Sequence, residues 1–303
     1  MTITKDRIAI NPIQWLASPD GLMDPSLEPP LEERLKVLSA VGISGLHAEI
    51  PDGVSPRQYQ TLLSDVGMVP APGYFTAPLP TDRAGHADLV SRAGRVSEQH
   101  AALGLKTIFL ASSISAAPQR LAHPAVGFDF DAARLAQASE VLAEVSTAMK
   151  RNGVKPALHP HVGGWVETEH EARHVLDTID ADLLDFGPDI GHLGWAGADY
   201  VTLLREYASR VAAIHVKDYR TNVAAQCRAE GRSYGATVLS GLWAEPGYGT
   251  ADITSALKAL PPDFAGWLVI EVDRGTQPTP EASIALCGKW AETVVRDPRL
   301  SSS

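Results

Sequence analysis

Acidic and imidazole side chains recur where short β-rich segments of this chain end. Residues two apart on a strand share a face, so the polar members of most of these ends point the same way. An unpaired charge facing a buried interior is costly, and a metal ion is the simplest common partner for such a set. Each residue alone fits a helix cap or a hydrogen-bonded structural role, but recurrence at independent strand ends favours a site. The pairs are His47 and Glu49, His159 and His161, Asp189 and His192, His215 and Lys217, and Glu271 and Asp273.

A repeating unit of one strand and one helix would position these residues. Predicted strands cover residues 7–10, 45–50, 69–74, 106–110, 155–161, 182–189, 210–217 and 267–272. Predicted helices cover residues 31–41, 87–103, 131–152, 169–179, 198–208, 222–228 and 280–295, and two more begin near residues 55 and 252. This alternation is typical of a parallel sheet, and no G-x-G-x-x-G motif follows the first strand.

The sequence therefore predicts the α/β class, with a single (β/α)8 TIM barrel over residues 1–296 and a disordered C-terminal tail over residues 297–303. Active sites of such barrels lie at the C-terminal ends of the strands, where the polar pairs are found. The irregular loops at 11–30, 111–129 and 219–250 all follow strands, so we expect them to cover that face.

Composition excludes several classes of partner. The 303 residues carry a formal net charge of −10 without a long Lys/Arg block, which argues against nucleic acid and anionic membranes as partners. No apolar run approaches the roughly 20 residues that cross a bilayer, and the first ten residues lack an apolar signal segment. Cys227 and Cys287 are the only cysteines and lack metal-ligand spacing, which fits a reducing compartment. We therefore expect a cytoplasmic protein that acts on a small molecule.

Several stretches of the chain resemble the sequence motifs of one enzyme family, and they occur in the same order. They are INPIQW at 10–15, HPHVGGWVET at 159–168, DIGHL at 189–193, HVKD at 215–218, EPGYG at 245–249 and GWLVIE at 266–271. Together they are similar to the inosose dehydratase branch of the sugar phosphate isomerase/epimerase superfamily, whose members are xylose isomerase-like TIM barrels. Members share the barrel and the metal but catalyse different steps, so the resemblance implies the superfamily more strongly than one reaction.

The resemblance implies one divalent metal ion held by a residue from each of four late strands. Carried over to this chain, those residues are Glu167, Asp189, His215 and Glu271. Such a mostly oxygen-donating set suits Mn²⁺ or Co²⁺ best, with Mg²⁺ or Zn²⁺ as alternatives. The sequence departs from the family pattern at His47, at Pro160 and around Asp273. These departures affect residues expected near the substrate, so they leave the substrate open more than the mechanism.

The implied chemistry removes a proton next to a carbonyl while the metal stabilises the enediolate that forms. Glu167 and Glu271 are the candidate bases, and His161 and Lys217 would stabilise the oxyanion or protonate a leaving hydroxyl. Tryptophans in the loops at 15, 165, 195 and 243 suit the C–H faces of a cyclic polyol. We expect an unphosphorylated substrate, with residues 247–250 forming a turn rather than a phosphate cradle. The expected substrate contacts are Asn11, Trp15, His47, Glu49, His159, Trp165, His192 and Asp273.

Several outcomes of this chemistry stay open. Loss of water from a ketocyclitol or keto sugar is preferred, while isomerisation or 3-epimerisation of a ketose and β-elimination of a 3-keto-glycoside need the same acidic proton. A barrel of the apurinic endonuclease type would bind several zinc ions and DNA, which the acidic charge and the single set of four ligands disfavour. A sugar-binding protein without activity is the non-enzymatic alternative, and a homo-oligomer is expected by resemblance alone.

Overall fold

The computed structural model describes residues 4–80 and 82–296. The strands are β1 (Ile8–Asn11), β2 (Gly45–His47), β3 (Val69–Ala71), β4 (Tyr74–Ala77), β5 (Thr107–Ser112), β6 (Lys155–Leu158), β7 (Asp185–Phe186), β8 (Ala213–Val216), β9 (Asp218–Tyr219), β10 (Trp243–Ala244) and β11 (Trp267–Glu271). The helices are α1 (Leu31–Ala40), α2 (Pro56–Ser64), α3 (Arg83–Ala102), α4 (Gln119–Ala122), α5 (Ala132–Lys150), α6 (Glu169–Thr178), α7 (Ile190–Trp195), α8 (Tyr200–Glu206), α9 (Thr221–Ala229), α10 (Tyr234–Leu239), α11 (Ile253–Lys258) and α12 (Pro280–Arg296). The predicted tail at 297–303 lies outside the described residues.

Parallel strands close into a barrel, which confirms the predicted fold class. One sheet runs β3-β2-β1-β11-β8 and a second runs β4-β5-β6-β7. Parallel bridges from Phe186 to Val211 and from Asp189 to His215 join β7 to β8. At the other seam β3 and β4 are two halves of one barrel strand, so the ring has eight positions.

The split between β3 and β4 corrects the single strand predicted at 69–74. Pro72 has no N–H to donate to a neighbouring strand. Gly73 lies so close to its neighbours that a Cβ there would collide with the carbonyl oxygen of Ala48 and lie 2.6 Å from His100 Nε2. The chain bends at these two residues and pairs with β2 before the bend and with β5 after it.

The sixth barrel strand is also shorter than predicted. Hydrogen bonds from the amides of Leu183 and Leu184 to the carbonyl of Asp180 form a turn where the prediction begins. The strand then spans Asp185–Phe186 alone, and Asp189 already caps α7 by accepting from the amide of His192 at 2.9 Å. A short antiparallel pair, β9 with β10, lies in the loop after β8 and was not predicted.

The barrel interior is apolar below the predicted site. Ala9, Ala71, Phe109, Ala213 and Val269 form a small buried cluster inside the ring, while the larger core lies between the strands and the surrounding helices. The ring of Phe109 lies 4.1 Å from the ring of His215 and 5.4 Å from that of His159, measured between centroids. Apolar packing thus ends directly beneath the polar strand ends. Within the described residues, none of the helices combines the length and the apolar character needed to cross a bilayer.

Candidate metal centre and active site

Two histidines and two carboxylates meet where four neighbouring strands end. His159 follows β6, Asp189 follows β7, His215 lies in β8 and Glu271 ends β11. All four are buried, and the first three each bring one ligand atom within 4.8 Å of the others. Asp189 Oδ2 is 3.8 Å from His159 Nε2 and 3.8 Å from His215 Nδ1, and Glu271 Oε2 is 3.2 Å from His215 Nδ1. We call these four residues the strand-end cluster.

The strand-end cluster contains buried polar atoms without a hydrogen-bond partner in the described parts of the chain. They are His159 Nε2, Asp189 Oδ2 and both ring nitrogens of His215, since Glu271 approaches His215 without hydrogen-bond geometry. Buried polar atoms in native proteins are almost always paired. Burial lowers the pKa of His159 well below its usual value, which leaves a neutral imidazole with a lone pair to donate. Two imidazoles and two carboxylates arranged in this way fit a divalent cation.

Lys217 is fully buried and forms ion pairs with three carboxylates of the site. Its Nζ lies 2.6 Å from Glu271 Oε1, 2.7 Å from Asp273 Oδ1 and 3.3 Å from Asp189 Oδ2. Burial alone would lower the pKa of Lys217, but these three carboxylates raise it well above its usual value. Likewise burial would raise the pKa of Glu271, but Lys217 and His215 hold it well below the usual range. Burial raises the pKa of Asp189 and raises that of Asp273 to about 6. The site therefore gathers more carboxylates than one ammonium can neutralise, which favours a bound cation.

A polar cavity of about 380 Å³ opens beside the strand-end cluster, with Glu271 in its wall. Asn11 donates a hydrogen bond to the Glu271 carboxylate from this wall. Burial, with His215 nearby, lowers the pKa of His47 to about 3, and burial with Lys217 lowers that of His161 to about 4. Both are therefore neutral hydrogen-bonding groups at neutral pH. The other polar residues of the lining are Glu49, Tyr74, Thr76, Ser112 and Ser113.

A second cavity of about 260 Å³ adjoins the first, and we call it the apolar compartment. The two cavities share Ile13, Ile114 and His161. Asp273 and Arg274 are the charged residues of its lining, and most of its remaining wall is aliphatic. The predicted substrate contact Asp273 thus faces the compartment rather than the polar cavity.

The structure does not bring Glu167 to the strand-end cluster, and we withdraw its assignment as a ligand and base. Its carboxylate oxygens accept hydrogen bonds from the backbone N–H groups of Ala125, Gly127 and Gly163 at 2.8–3.1 Å. Arg120 lies 3.9 Å away and forms a 2.7 Å ion pair with Glu171, the residue that completes the cap of α6. Glu167 is fully buried among these partners, so its acceptor capacity is taken up by the chain itself.

The tryptophans and His192 also lie elsewhere than expected. Trp195 and Trp243 are buried in the main core. Trp15 is buried and donates a hydrogen bond to the Glu281 carboxylate. Trp165 donates a hydrogen bond to the carbonyl of Ala116. Neither tryptophan lines the polar cavity or the apolar compartment. His192 lines neither cavity and contacts Lys217 Nζ at 3.0 Å through Nε2. The ring-bearing residues that line the polar cavity are His47, Tyr74 and His161.

Backbone amides of the loop at 247–251 donate hydrogen bonds to the carboxylate of Asp218. Gly247 and Gly249 donate to Asp218 Oδ2 at 2.8 and 3.0 Å, and Ala251 donates to Asp218 Oδ1 at 3.1 Å. A Cβ at Gly249 would collide with Asp218. These N–H groups are already used by Asp218, so this turn does not offer them to a phosphate.

His159 is the ligand candidate that the sequence reasoning assigned to another role. It was expected to touch the substrate, whereas the structure places it among the potential ligands. The signal was present, because His159 lies in the last part of the predicted strand at 155–161, as His215 does in the predicted strand at 210–217, whereas Glu167 stands eight residues further on. The aliphatic wall of the apolar compartment had no such signal, because its residues come from separate segments of the chain.

Comparisons with known proteins agree with this architecture. The model of the xylose isomerase-like TIM barrel family matches residues 65–290. Inosose dehydratase of Bacillus velezensis is 30% identical over 148 residues, which are 48% of this chain and 50% of that protein. The chain thus spans about half the length of this curated relative. Rhizopine catabolism protein MocC of Rhizobium meliloti is 27% identical over 278 residues, covering 88% of this chain and 82% of the relative.

Two solved structures show the same fold over nearly the whole chain. The IOLI protein with a bound zinc atom has a TM-score of 0.70 at 18% identity and covers 95% of this chain and 98% of its own. L-ribulose 3-epimerase has a TM-score of 0.67 at 16% identity, and the match covers 95% of this chain and 94% of the epimerase chain. At these identities the likeness concerns the fold.

Proposed function

Because the chain belongs to the xylose isomerase-like TIM barrel family, we propose that it is a divalent-metal-dependent lyase that dehydrates a ketocyclitol or keto sugar, as an inosose dehydratase does. The observation that carries the proposal is the strand-end cluster, whose unpaired buried atoms lie beside a polar cavity lined by Glu271. The sequence relatives named inosose dehydratase favour loss of water over isomerisation.

The metal would be held by His159, Asp189, His215 and Glu271. When bound, it would polarise the substrate carbonyl and stabilise the negative charge that develops on its oxygen. Two imidazoles and two carboxylates form a ligand set of intermediate softness, which suits Mn²⁺, Co²⁺ or Zn²⁺ better than Mg²⁺. Among these we favour Mn²⁺ or Co²⁺.

Glu271 is the residue positioned to remove the proton next to the carbonyl. It lines the polar cavity, and Lys217 and Asn11 hold it in place from two sides. Lys217 also keeps the carboxylate ionised, which is the form that can accept a proton, and the same ion pair lowers its basicity. The same proton can then depart with the hydroxyl of the neighbouring carbon as water, which returns Glu271 to its starting state. His161, neutral and in the cavity wall, would orient that hydroxyl through a hydrogen bond.

A product assay tests this proposal. The purified protein would be incubated with inososes, 3-keto sugars and free ketoses in native form, after EDTA treatment, and after reloading with Mn²⁺. Glu271→Gln would be compared with Glu281→Gln, whose carboxylate bonds to Trp15 outside both cavities. We expect metal-dependent loss of water that disappears in Glu271→Gln and persists in Glu281→Gln. Conservation of mass would instead indicate an isomerase or epimerase, and turnover after complete metal removal would contradict the proposal.

A further inference from the structure

The apolar compartment has no role in the proposed chemistry of a polar ring, although it shares a wall with the site. We propose that it binds an alkyl or aryl substituent carried on an oxygen of the substrate. The preferred substrate would then be an ether or glycoside of the keto polyol rather than the unsubstituted polyol. This inference rests on the proposed function, because the polar ring must occupy the neighbouring cavity for its substituent to reach the compartment.

The wall of the compartment is built from aliphatic side chains of three separate segments. Leu22 and Met23 come from the loop after β1, Leu121 from α4 and Val238 from α10. Leu22 and Met23 are 38% and 37% exposed, although they face a recess beside the active site rather than the outer surface. Aliphatic side chains exposed inside a cleft are typical of ligand sites, because an apolar ligand removes their contact with water.

The compartment is held open by backbone contacts. Gly21 and Gly235 touch so closely that a Cβ on Gly21 would lie 2.9 Å from the Cα of Gly235. An antiparallel bridge between Ala17 and Met23 and a 2.7 Å hydrogen bond from Arg274 to the carbonyl of Ser18 fix the same loop. A recess supported in this way is already formed before a ligand arrives, which lowers the cost of binding.

The size and the position of the compartment point to a substituent of about the size of a benzyl group. An apolar cavity of roughly 150 Å³ is enough to hold benzene, and this one measures about 260 Å³. His161, the side chain that we expect at the leaving oxygen, lines both this compartment and the polar cavity. A group attached to that oxygen can therefore reach the compartment without displacing the ring.

Elimination from such a substrate needs no further reactant, because every atom and electron of the products comes from the substrate. Glu271 takes the proton next to the carbonyl, the bond between the β-carbon and its oxygen breaks, and a double bond conjugated to the carbonyl forms. The departing oxygen takes up the proton and leaves as an alcohol that keeps its alkyl or aryl group. The product from the ring is the same as in dehydration.

Equilibrium binding of ligands that cannot react tests the compartment directly. The methyl and benzyl ethers of an inositol lack the carbonyl, so their dissociation constants can be measured by calorimetry on the metal-loaded protein. We expect the benzyl ether to bind at least about 10-fold more tightly than the methyl ether. Val238→Trp, which fills the compartment, should reduce this ratio to near one. Leu239→Trp is the matched control, since Leu239 is 50% exposed on the same helix and does not line the compartment.

Equal affinities for the two ethers in the native protein would overturn the inference, as would equal ratios in the two tryptophan variants. Neither result would affect the proposed function, which the loss of water from unsubstituted inosose tests separately. A preference for the benzyl ether without metal-dependent elimination would keep the compartment and overturn the proposed reaction.

Discussion

Two buried acidic clusters near the strand ends differ in how fully their oxygens are paired. The Glu167 carboxylate accepts from three backbone N–H groups and faces Arg120. Asp189 Oδ2, equally buried, accepts no backbone hydrogen bond among residues 4–80 and 82–296 and lies 3.3 Å from Lys217 Nζ without hydrogen-bond geometry. Residue type and burial therefore do not separate a structural acid from a potential metal ligand. The supply of donors from the chain separates them.

The difference has a local cause. Glu167 lies in a loop, where the amides of Ala125, Gly127 and Gly163 are not engaged in a sheet and can turn toward one carboxylate. The strand-end cluster projects from β8, β11 and the residues that follow β6 and β7, where backbone amides are committed to neighbouring strands. Backbone groups satisfy only part of it, through the amide of His192 at Asp189 Oδ1 and the carbonyl of Gly187 at His159 Nδ1. The polar atoms that remain unpaired are left to Lys217 or to a ligand.

The largest expected effect is on turnover. Glu271→Gln should reduce kcat by about 10²- to 10⁴-fold, because an amide cannot accept the proton. Glu167→Gln should keep most of its kcat when measured at a temperature where it is folded, since Glu167 does not contact the cluster. The measurement is the initial rate of water loss from inosose, determined for both variants and for the native protein. A comparable collapse of kcat in a folded Glu167→Gln would break the distinction between the two clusters.

The second effect is on stability, and here we expect a large loss for Glu167→Gln, the variant that should keep most of its kcat. Glu167→Gln should lose about 3 kcal/mol of unfolding free energy, because its NH₂ group would face a backbone N–H donor in a buried site. Glu281→Gln at the surface of α12 should lose less than about 1 kcal/mol. Urea unfolding in EDTA measures both. A loss in Glu167→Gln no larger than in the control would mean that the donors around Glu167 contribute little.

The third effect links the metal to folding. At a free concentration about 100 times its dissociation constant, a metal that binds the folded state alone adds about 2.7 kcal/mol of stability. We expect Mn²⁺ to stabilise the native protein and Glu167→Gln to this extent, and Asp189→Asn much less. Asp185→Asn is a suitable control, because Asp185 lies in the preceding strand and pairs with Lys155 at 2.5 Å. Equal stabilisation of Asp189→Asn and Asp185→Asn would remove Asp189 from the ligand set.

Much of this architecture follows from sequence patterns. The eight strand positions, the N-cap of α2 at Ser55 and the caps at Asp189 and Asp252 depend on short-range spacing, and the structure contains them. The parallel order then brings His215, Glu271 and Asp189 together, because the strand ends of a barrel meet at one face.

The rest depends on contacts that short-range patterns do not contain. Glu167 was assigned to the metal through a motif, and two of its three backbone donors, Ala125 and Gly127, lie about 40 positions earlier in the chain. The tryptophans at 195 and 243 follow strands, as substrate-facing aromatics would, yet they pack against each other in the core with ring centroids 5.6 Å apart. In both cases the role of the side chain depends on neighbours that are close in space and distant in the sequence.

The most direct test of the central claim is the metal content of two variants. Native protein, His159→Gln and Glu167→Gln would be stripped with EDTA, reloaded with Mn²⁺, freed of excess metal and analysed for bound metal per chain. We predict about one bound ion in the native protein and in Glu167→Gln and a large loss in His159→Gln, since His159 supplies a ligand and Glu167 does not. Loss of the metal in folded Glu167→Gln with retention in His159→Gln would contradict the proposed ligand set.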